Sequence, residues 1–253
     1  MNRDKYIVLS GLAGISVLAW LYILSLGWST VGAGMGAGMG AQEQAWDGMD
    51  FALAFVMWAV MMVALMVPSS TPMILMFARV NRERRKRQAT FVPTGIFVLS
   101  YIVVWSGFSV LAALAQWQLH AASLLSPAAM VTSPVLGGML LIAAGVFQWT
   151  PLKQACLTHC RSPLSHLMTG WREGRLGAFV MGLRHGGYCV GCCWLLMALL
   201  FVAGVMNLLW TATIGAFVLI EKVTPGDRWI SRTAGLLLCT WGVLTAVGAL
   251  PLT

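Results

Sequence analysis

The chain has 253 residues, of which 59% are hydrophobic and 9% are charged, and its formal net charge is +8. A soluble globular domain carries about 25% charged residues, so this composition leaves no room for a large soluble domain and predicts a polytopic membrane protein. Basic residues cluster between apolar runs, a pattern that sets orientation in a membrane and does not indicate nucleic-acid binding. We expect a single all-α transmembrane helical bundle over residues 1–253.

Apolar runs follow one another along the chain. They are Tyr6–Trp28, Phe51–Ala78, Pro93–Gln118, Val135–Thr150, Leu176–Val205, Leu208–Glu221 and Trp229–Leu250. A helix needs about 20 apolar residues to cross a bilayer, so the runs predict about seven transmembrane helices, the sixth near the lower limit of length. The first run is longer than the roughly 7–15 apolar residues of a secretory signal and is interpreted as a retained helix.

Basic residues assign one orientation to these runs. With the N-terminus in the cytosol, the run Arg79–Arg87, the loop after the fourth apolar run and the segment Lys222–Arg232 all lie on the cytosolic side. Positive charge is enriched on that side of a membrane. The acidic loop after the first run and the loop that carries His120 then lie outside, and so does the C-terminus.

Proline and charged residues predict local features of the helices. Pro68 and Pro72 lie in the inner half of the second run. Proline removes a helical hydrogen bond, so the pair predicts a kink or a break. Arg184 is interpreted as an interfacial side chain that reaches toward water, with an ion pair to Glu221 as the alternative. Glu221 stands beside Lys222 and predicts an interfacial ion pair.

Methionine occurs at two informative places. Met35 and Met39 lie in a Gly-rich outer loop, which has no core for them to fill. Met62 and Met66 lie near the middle of the second run. A thioether is a soft ligand that suits Cu(I), so these methionines are candidate metal ligands. Methionine in a helix is more often core filler, and that alternative stays open for Met62 and Met66.

The most informative stretch lies in the fifth run and reads GLRHGGYCVGCCW, residues 182–194. On a helix with about 100° per residue, Met181, His185, Cys189 and Cys192 fall within an arc of roughly 80°, and Cys193 lies at its edge. Polar groups at membrane depth face a packed interior or bind something. A thioether, an imidazole and several thiols on one face predict a soft-metal site. The alternative is that the cysteines are small buried hydrophobic residues.

A second group of ligands follows the fourth run. Pro151 and Pro163 bracket a stretch that is compatible with one short helix, which carries Cys156, His159 and Cys160. The two cysteines are four residues apart and share one side of such a helix. Two thiolates and an imidazole on a surface helix are suited to a thiophilic ion. The spacing differs from that of zinc ribbons, and idle cytosolic thiols are the alternative.

The chain resembles a bacterial family in motifs that here read MMVALMVPSSTPM, PLKQACLTHCRSPL and GLRHGGYCVGCCWLLMALLFVAGVMNLLW, followed by Glu221–Lys222. That family is described as predicted metal-binding integral membrane proteins, a domain of unknown function, and some of its members carry the label copper chaperone. The resemblance divides the chain into an N-terminal helix with an outer loop (1–50), a family core (51–225) and a last helix (226–253). It implies a helical membrane fold and metal handling by Cys156, His159, Cys160, His185, Cys189, Cys192 and Cys193.

The leading hypothesis is an integral, multi-pass protein of the bacterial inner (cytoplasmic) membrane that binds Cu(I) and passes it on. Another soft metal or zinc is the alternative ion. In this hypothesis Met35, Met39 and Met49 gather the ion outside and the methionines of the second run pass it to His185, Cys189 and Cys192. Cys156, His159 and Cys160 then exchange it with the cytosol. The expected partners are the lipid bilayer and a metal donor or acceptor protein.

Other functions fit some of the same residues. Cys189 and Cys192 have the spacing of a redox pair, so a membrane thiol–disulfide oxidoreductase is the first alternative. A structural membrane subunit with inert cysteines is the second. No nucleotide-binding loop is visible in the sequence, and the pattern favours a binding and transfer protein over an enzyme.

Overall fold

The computed structural model describes residues 3–34, 46–86, 92–126, 129–162, 170–224 and 228–250. Apart from an isolated bridge between Leu125 and Val131, every regular element in these ranges is helical. The predicted all-α class is therefore confirmed for the described part of the chain. The candidate ligands Met35 and Met39 lie outside the described residues.

The helices follow the predicted apolar runs closely. In chain order they are α1 Arg3–Gly34, α2 Gly48–Lys86, α3 Thr94–Ala121, α4 Pro134–Phe147, α5 Pro151–Arg161, α6 Gly174–Ala198, α7 Leu200–Ala203, α8 Leu208–Val223 and α9 Trp229–Ala246.

Several of these helices are long and apolar enough to cross a membrane. The described residues hold 4 candidate spans, Tyr6–Leu26, Gly48–Arg84, Thr94–Ala121 and Gly174–Ala203. Helices α4 and α5 meet at a bend of 64°, and if the pair is counted as one broken span, the number of candidate spans rises to 5. Helix α8 has 16 residues, which at about 1.5 Å per residue is shorter than a hydrocarbon core of about 30 Å. The predicted count of about seven crossings and the orientation remain predictions.

Proline and capping residues decide where the middle helices begin. Pro134 and Pro151 each occupy the first helical turn, where the missing N–H is harmless. Ser133 accepts a hydrogen bond from the Leu136 N–H and Thr150 accepts one from the Lys153 N–H. The first signal starts α4, which ends at Phe147, and the second starts the separate helix α5, so the fourth apolar run ends in a turn before α5.

Helix α2 continues through both of its prolines. A break at Pro68 and Pro72 is therefore contradicted, whereas the alternative, a kink, stays a prediction. Three hydroxyl side chains in this region bond to backbone carbonyls one turn back: Ser69 to Met66, and Ser70 and Thr71 to Val67. In a helix packed on several sides, such bonds satisfy polar groups locally and help the helix tolerate proline.

The seven helices α2 to α8 contribute residues to a common buried core. Close approach between helices depends on small residues, as at Gly182 of α6, where an added Cβ would overlap the Phe97 carbonyl of α3. A similar approach occurs at Gly191 of α6, where a Cβ would lie 2.8 Å from the Cys156 sulfur of α5. The α6 helix is thereby held between α3 and α5, and its cysteine face is turned into the core.

Candidate metal centre

Helix α6 turns its chemically distinctive residues to the inside of the bundle. Met181, His185, Cys189, Cys192 and Cys193 are all buried. The helical spacing explains this arrangement, because residues three and four apart lie on one face. Positions that the sequence predicts to share an arc therefore do share the buried face of α6.

Cys189 lies at the centre of a set of polar contacts from three other helices. Its sulfur is 3.0 Å from the Lys222 Nζ of α8 and 3.1 Å from the Tyr101 hydroxyl of α3. Lys222 also donates to the Ser69 Oγ of α2 at 2.8 Å, and its nitrogen is 4.0 Å from the Met66 Sδ. The Tyr101 hydroxyl donates to the Met66 carbonyl at 3.0 Å. A thiol, a thioether, a phenol and an ammonium thus meet in the interior.

The neighbouring thiols extend this group toward α5. The Cys160 side chain lies near enough to that of Cys192 for the two to interact. The Cys192 and Cys193 thiols both donate to the Cys189 carbonyl, at 3.1 and 2.9 Å. We call the four thiols of Cys160, Cys189, Cys192 and Cys193 together with the Met66 thioether the sulfur cluster. The sequence predicts two separate groups of cysteines, and the structure joins them.

A buried ion pair holds α5 against α8. The Lys153 ammonium donates to both carboxylate oxygens of Glu221, at 2.9 and 2.8 Å, and it also bonds to the Gln148 side chain. Ser231 of α9 donates to the same carboxylate at 2.7 Å. The Arg161 Nε donates to the Glu221 carbonyl at 2.7 Å, which fixes the end of α5 next to Cys160.

This pair corrects the sequence-based expectation for Glu221. The carboxylate is buried and paired with Lys153, and neither Lys222 nor Arg184 is its partner. Lys222 follows Glu221 directly in α8, so its side chain leaves the helix in another direction and reaches Cys189. Arg184 is exposed on α6, as its interpretation as an interfacial side chain requires.

A polar cavity of about 150 Å³ adjoins the sulfur cluster. Its lining residues are Ser69, Pro72, Met73, Cys160, Arg161, His185, Lys222 and Val223. The space is sufficient for water or a small ion, because a single water needs only about 10–15 Å³ by a comparable measure. Cys160 and Lys222 therefore belong both to the cluster and to this cavity. His185 lines the cavity and stacks on Tyr101 with ring centroids 5.4 Å apart.

The remaining predicted ligands lie at different distances from the cluster. Met62 is fully buried in the same core. Cys156 packs beside Gly191, one helical turn before Cys160. His159 stacks on Tyr188 at 4.1 Å, and its Nδ1 lies 2.8 Å from the Ala155 carbonyl. Met49, by contrast, is exposed at the start of α2.

The donor types of the sulfur cluster suit a soft monovalent metal. Within the described residues, no three His, Cys, Asp or Glu side chains are arranged to hold a metal ion. Thiolates and thioethers are soft ligands of the kind that Cu(I) prefers, and thiols and a thioether are the donor types that the cluster offers.

Three polar members of the site are not predicted from the sequence. Tyr101 and Ser69 lie in apolar runs, and the sequence predicts Lys222 to be an interfacial basic residue. For Lys222 there is a signal, because a lysine at the end of a short apolar helix is costly unless it is paired inside the bundle. Lys153 lies in the segment that the sequence places on the cytosolic side, yet its side chain is fully buried.

Comparison with known proteins identifies the family of this chain. A family model described as PpoB2: Copper chaperone matches residues 55–245. The match covers more than half of the chain and includes all the helices that build the sulfur cluster, so the chain belongs to that family. No curated protein and no solved structure gives a significant match.

Proposed function

We propose that this member of the copper chaperone family binds Cu(I) inside a helical membrane bundle and passes it to an acceptor. The observation that supports the proposal is the convergence of sulfur side chains from three helices in one part of the bundle. The partly buried Cys160 comes from α5, and the buried Cys189 and Cys192 come from α6 and Met66 from α2. Soft thiolate and thioether ligands favour Cu(I) over harder ions.

Cys189 and Cys192 are the proposed holding ligands, with the Met66 thioether as a neutral third donor. Both thiols are buried on the same face of α6. Met66 lies beside them: its Sδ is 4.0 Å from the Lys222 Nζ, and its carbonyl accepts a hydrogen bond from Tyr101. Each thiol that binds the metal loses its proton, so loading releases protons while copper stays in the +1 state. No electron transfer is needed at any step.

Cys160 is the proposed exchange ligand. It lines the cavity and lies near Cys192, so it connects the space that an incoming ion can occupy with the buried pair. An ion bound first by Cys160 is then shared with Cys192 and moves to Cys189 by replacement of one sulfur ligand by another. Because the ligands are equally soft, each exchange needs little driving force.

The cellular role proposed here is delivery or transfer of copper at the bacterial inner membrane. Helices long enough to cross a bilayer and the copper chaperone family support this role. His159 and Cys156 lie next to the α5 end of the path and are the proposed contact point for a donor or acceptor protein. Met35, Met39 and Met62 keep their proposed parts as outer and intermediate thioether ligands.

Metal content of the purified protein tests the proposal directly. The full chain in detergent is loaded anaerobically with Cu(I), separated from free metal and measured by mass spectrometry of the bound element. We expect about one Cu(I) per chain, and loss of most of it in the double variant Cys189→Ser/Cys192→Ser. Cys160→Ser is expected to slow loading more than it lowers the final content.

Cys239→Ser is the matched control, because this cysteine packs between α9 and α4 beside Gly145, away from the sulfur cluster. It should leave the copper content unchanged. Equal copper in wild type and double variant would contradict the proposal. A disulfide that forms and opens reversibly between Cys160 and Cys192, without stoichiometric metal, would instead support the oxidoreductase function.

A further inference from the structure

We infer that Lys222 makes the sulfur cluster selective for monovalent over divalent thiophilic metals, because its fixed positive charge balances the charge of the loaded site. The inference rests on the proposed function and concerns the same cluster. It assigns to Lys222 the role of a specificity-determining residue that neutralises the site without binding the metal.

The position of Lys222 is unusual for a lysine. Its side chain is 8% exposed and lies in the interior, with its ammonium 3.0 Å from the Cys189 sulfur and 2.8 Å from the Ser69 Oγ. A buried charge without compensation is strongly unfavourable, so buried charges occur paired. The acidic residue nearest in the chain, Glu221, is already paired with Lys153. The Cys189 sulfur, the acidic group in contact with the ammonium, is the proposed source of the opposite charge.

Two other charged groups near the cluster neutralise each other, the ammonium of Lys153 and the carboxylate of Glu221. Arg161 lines the same cavity, and one nitrogen of its guanidinium is buried there. Its positive charge disfavours a divalent ion in wild type and in every Lys222 variant alike. The charge that differs between the compared proteins is therefore that of residue 222.

Charge balance then separates the two kinds of metal. A monovalent ion, the thiolates of Cys189 and Cys192 and the ammonium of Lys222 together carry no net charge. A divalent ion in the same place leaves one positive charge in a medium of low dielectric constant. Removing the ammonium reverses the situation: the monovalent complex becomes an uncompensated anion and the divalent complex becomes neutral. Electrostatic interactions over a few ångströms in such surroundings are large.

The experiment uses Ag(I), a monovalent thiophilic ion without redox chemistry, in competition with Cd(II), a divalent one. The full chain in detergent is equilibrated with mixtures of both ions, and the bound ratio is measured by elemental mass spectrometry. Lys222→Met should shift the ratio toward Cd(II) by on the order of 100-fold relative to wild type. Lys222→Gln should shift it in the same direction while keeping a donor for Ser69.

Two controls isolate the charge. Lys222→Arg keeps the positive charge and should preserve the preference of wild type for Ag(I). Arg184→Met removes an exposed charge from α6 and should leave the ratio within a few-fold of wild type. Thermal unfolding and size-exclusion profiles establish which variants are folded.

The outcomes distinguish this inference from the proposed function. If wild type and Lys222→Gln bind Ag(I) at the cysteines with the same Ag(I)-to-Cd(II) ratio, the inference is overturned while the copper site stands. The inference is also overturned if Lys222→Arg shifts the ratio as far as Lys222→Met does. If wild type binds neither ion in a manner that depends on Cys189 and Cys192, the proposed function itself has failed.

Discussion

Replacing Lys153 with methionine should destabilise the protein strongly. Lys153 and Glu221 have side-chain exposures of 0% and 2%, and the ammonium bonds to both carboxylate oxygens at 2.8 and 2.9 Å. Removing one partner of such a pair leaves a buried charge and costs about 3–5 kcal/mol. For a chain of this size, about 1 kcal/mol moves the unfolding temperature by about 2–4 °C, so the expected fall is roughly 6–20 °C.

The matched double variant separates the loss of the pair from the loss of packing. Lys153→Met/Glu221→Gln has no charge at this place, and the new amide can still accept from Ser231. Because replacing a whole buried pair by neutral groups is often close to neutral, the double variant should recover most of the lost stability. The unfolding temperature is followed by intrinsic tryptophan fluorescence in detergent.

Two results would refute this reasoning. One is a Lys153→Met variant that unfolds within about 2 °C of wild type, which would place the ammonium in water and not in the core. The other is a double variant as unstable as the sum of the single variants. That additivity would show that the two side chains do not interact.

The remaining predictions also concern stability and use the same measurement. Gly182→Ala should lower the free energy of unfolding by about 1–3 kcal/mol, because the added Cβ overlaps the Phe97 carbonyl. The unfolding temperature should fall accordingly. Gly187→Ala on the same helix meets nothing within 4 Å, so it should be neutral or slightly stabilising; equal effects would contradict the close approach of α3 and α6. Trp58→Phe should lower the free energy of unfolding by about 1–3 kcal/mol, because it leaves a buried acceptor without a hydrogen bond. In wild type the Gln116 side-chain oxygen accepts from the Trp58 indole at 2.7 Å. Adding Gln116→Leu removes that acceptor and should recover part of the loss.

Features that depend on neighbours along the chain were accessible from the sequence. The boundaries of the apolar runs agree with the helices because hydrophobic length and capping residues act locally. The buried face of α6 follows from the spacing of His185, Cys189 and Cys192, and the short helix α5 follows from its flanking prolines. The family resemblance, which rested on these same motifs, agrees with the copper chaperone match.

Features that depend on distant segments were not accessible in the same way. The prolines of α2 predict a kink or a break, but the helix continues through both, with local hydroxyl bonds to backbone carbonyls. The sequence shows only the basic character of Lys153 and Lys222. Whether a lysine faces headgroups or enters the bundle depends on whether another helix offers it a partner, and periodicity within one segment carries no information on that.

An all-helical fold, membrane-length apolar segments and a row of soft ligands on α6 can all be predicted from the sequence, because each is set within a few helical turns. The packing of the helices was needed to bring Cys160 near Cys192, Lys222 and Tyr101 to Cys189, and Lys153 to Glu221. A buried charge or thiol finds its partner on the helix packed against it, and in this bundle that helix is distant along the chain.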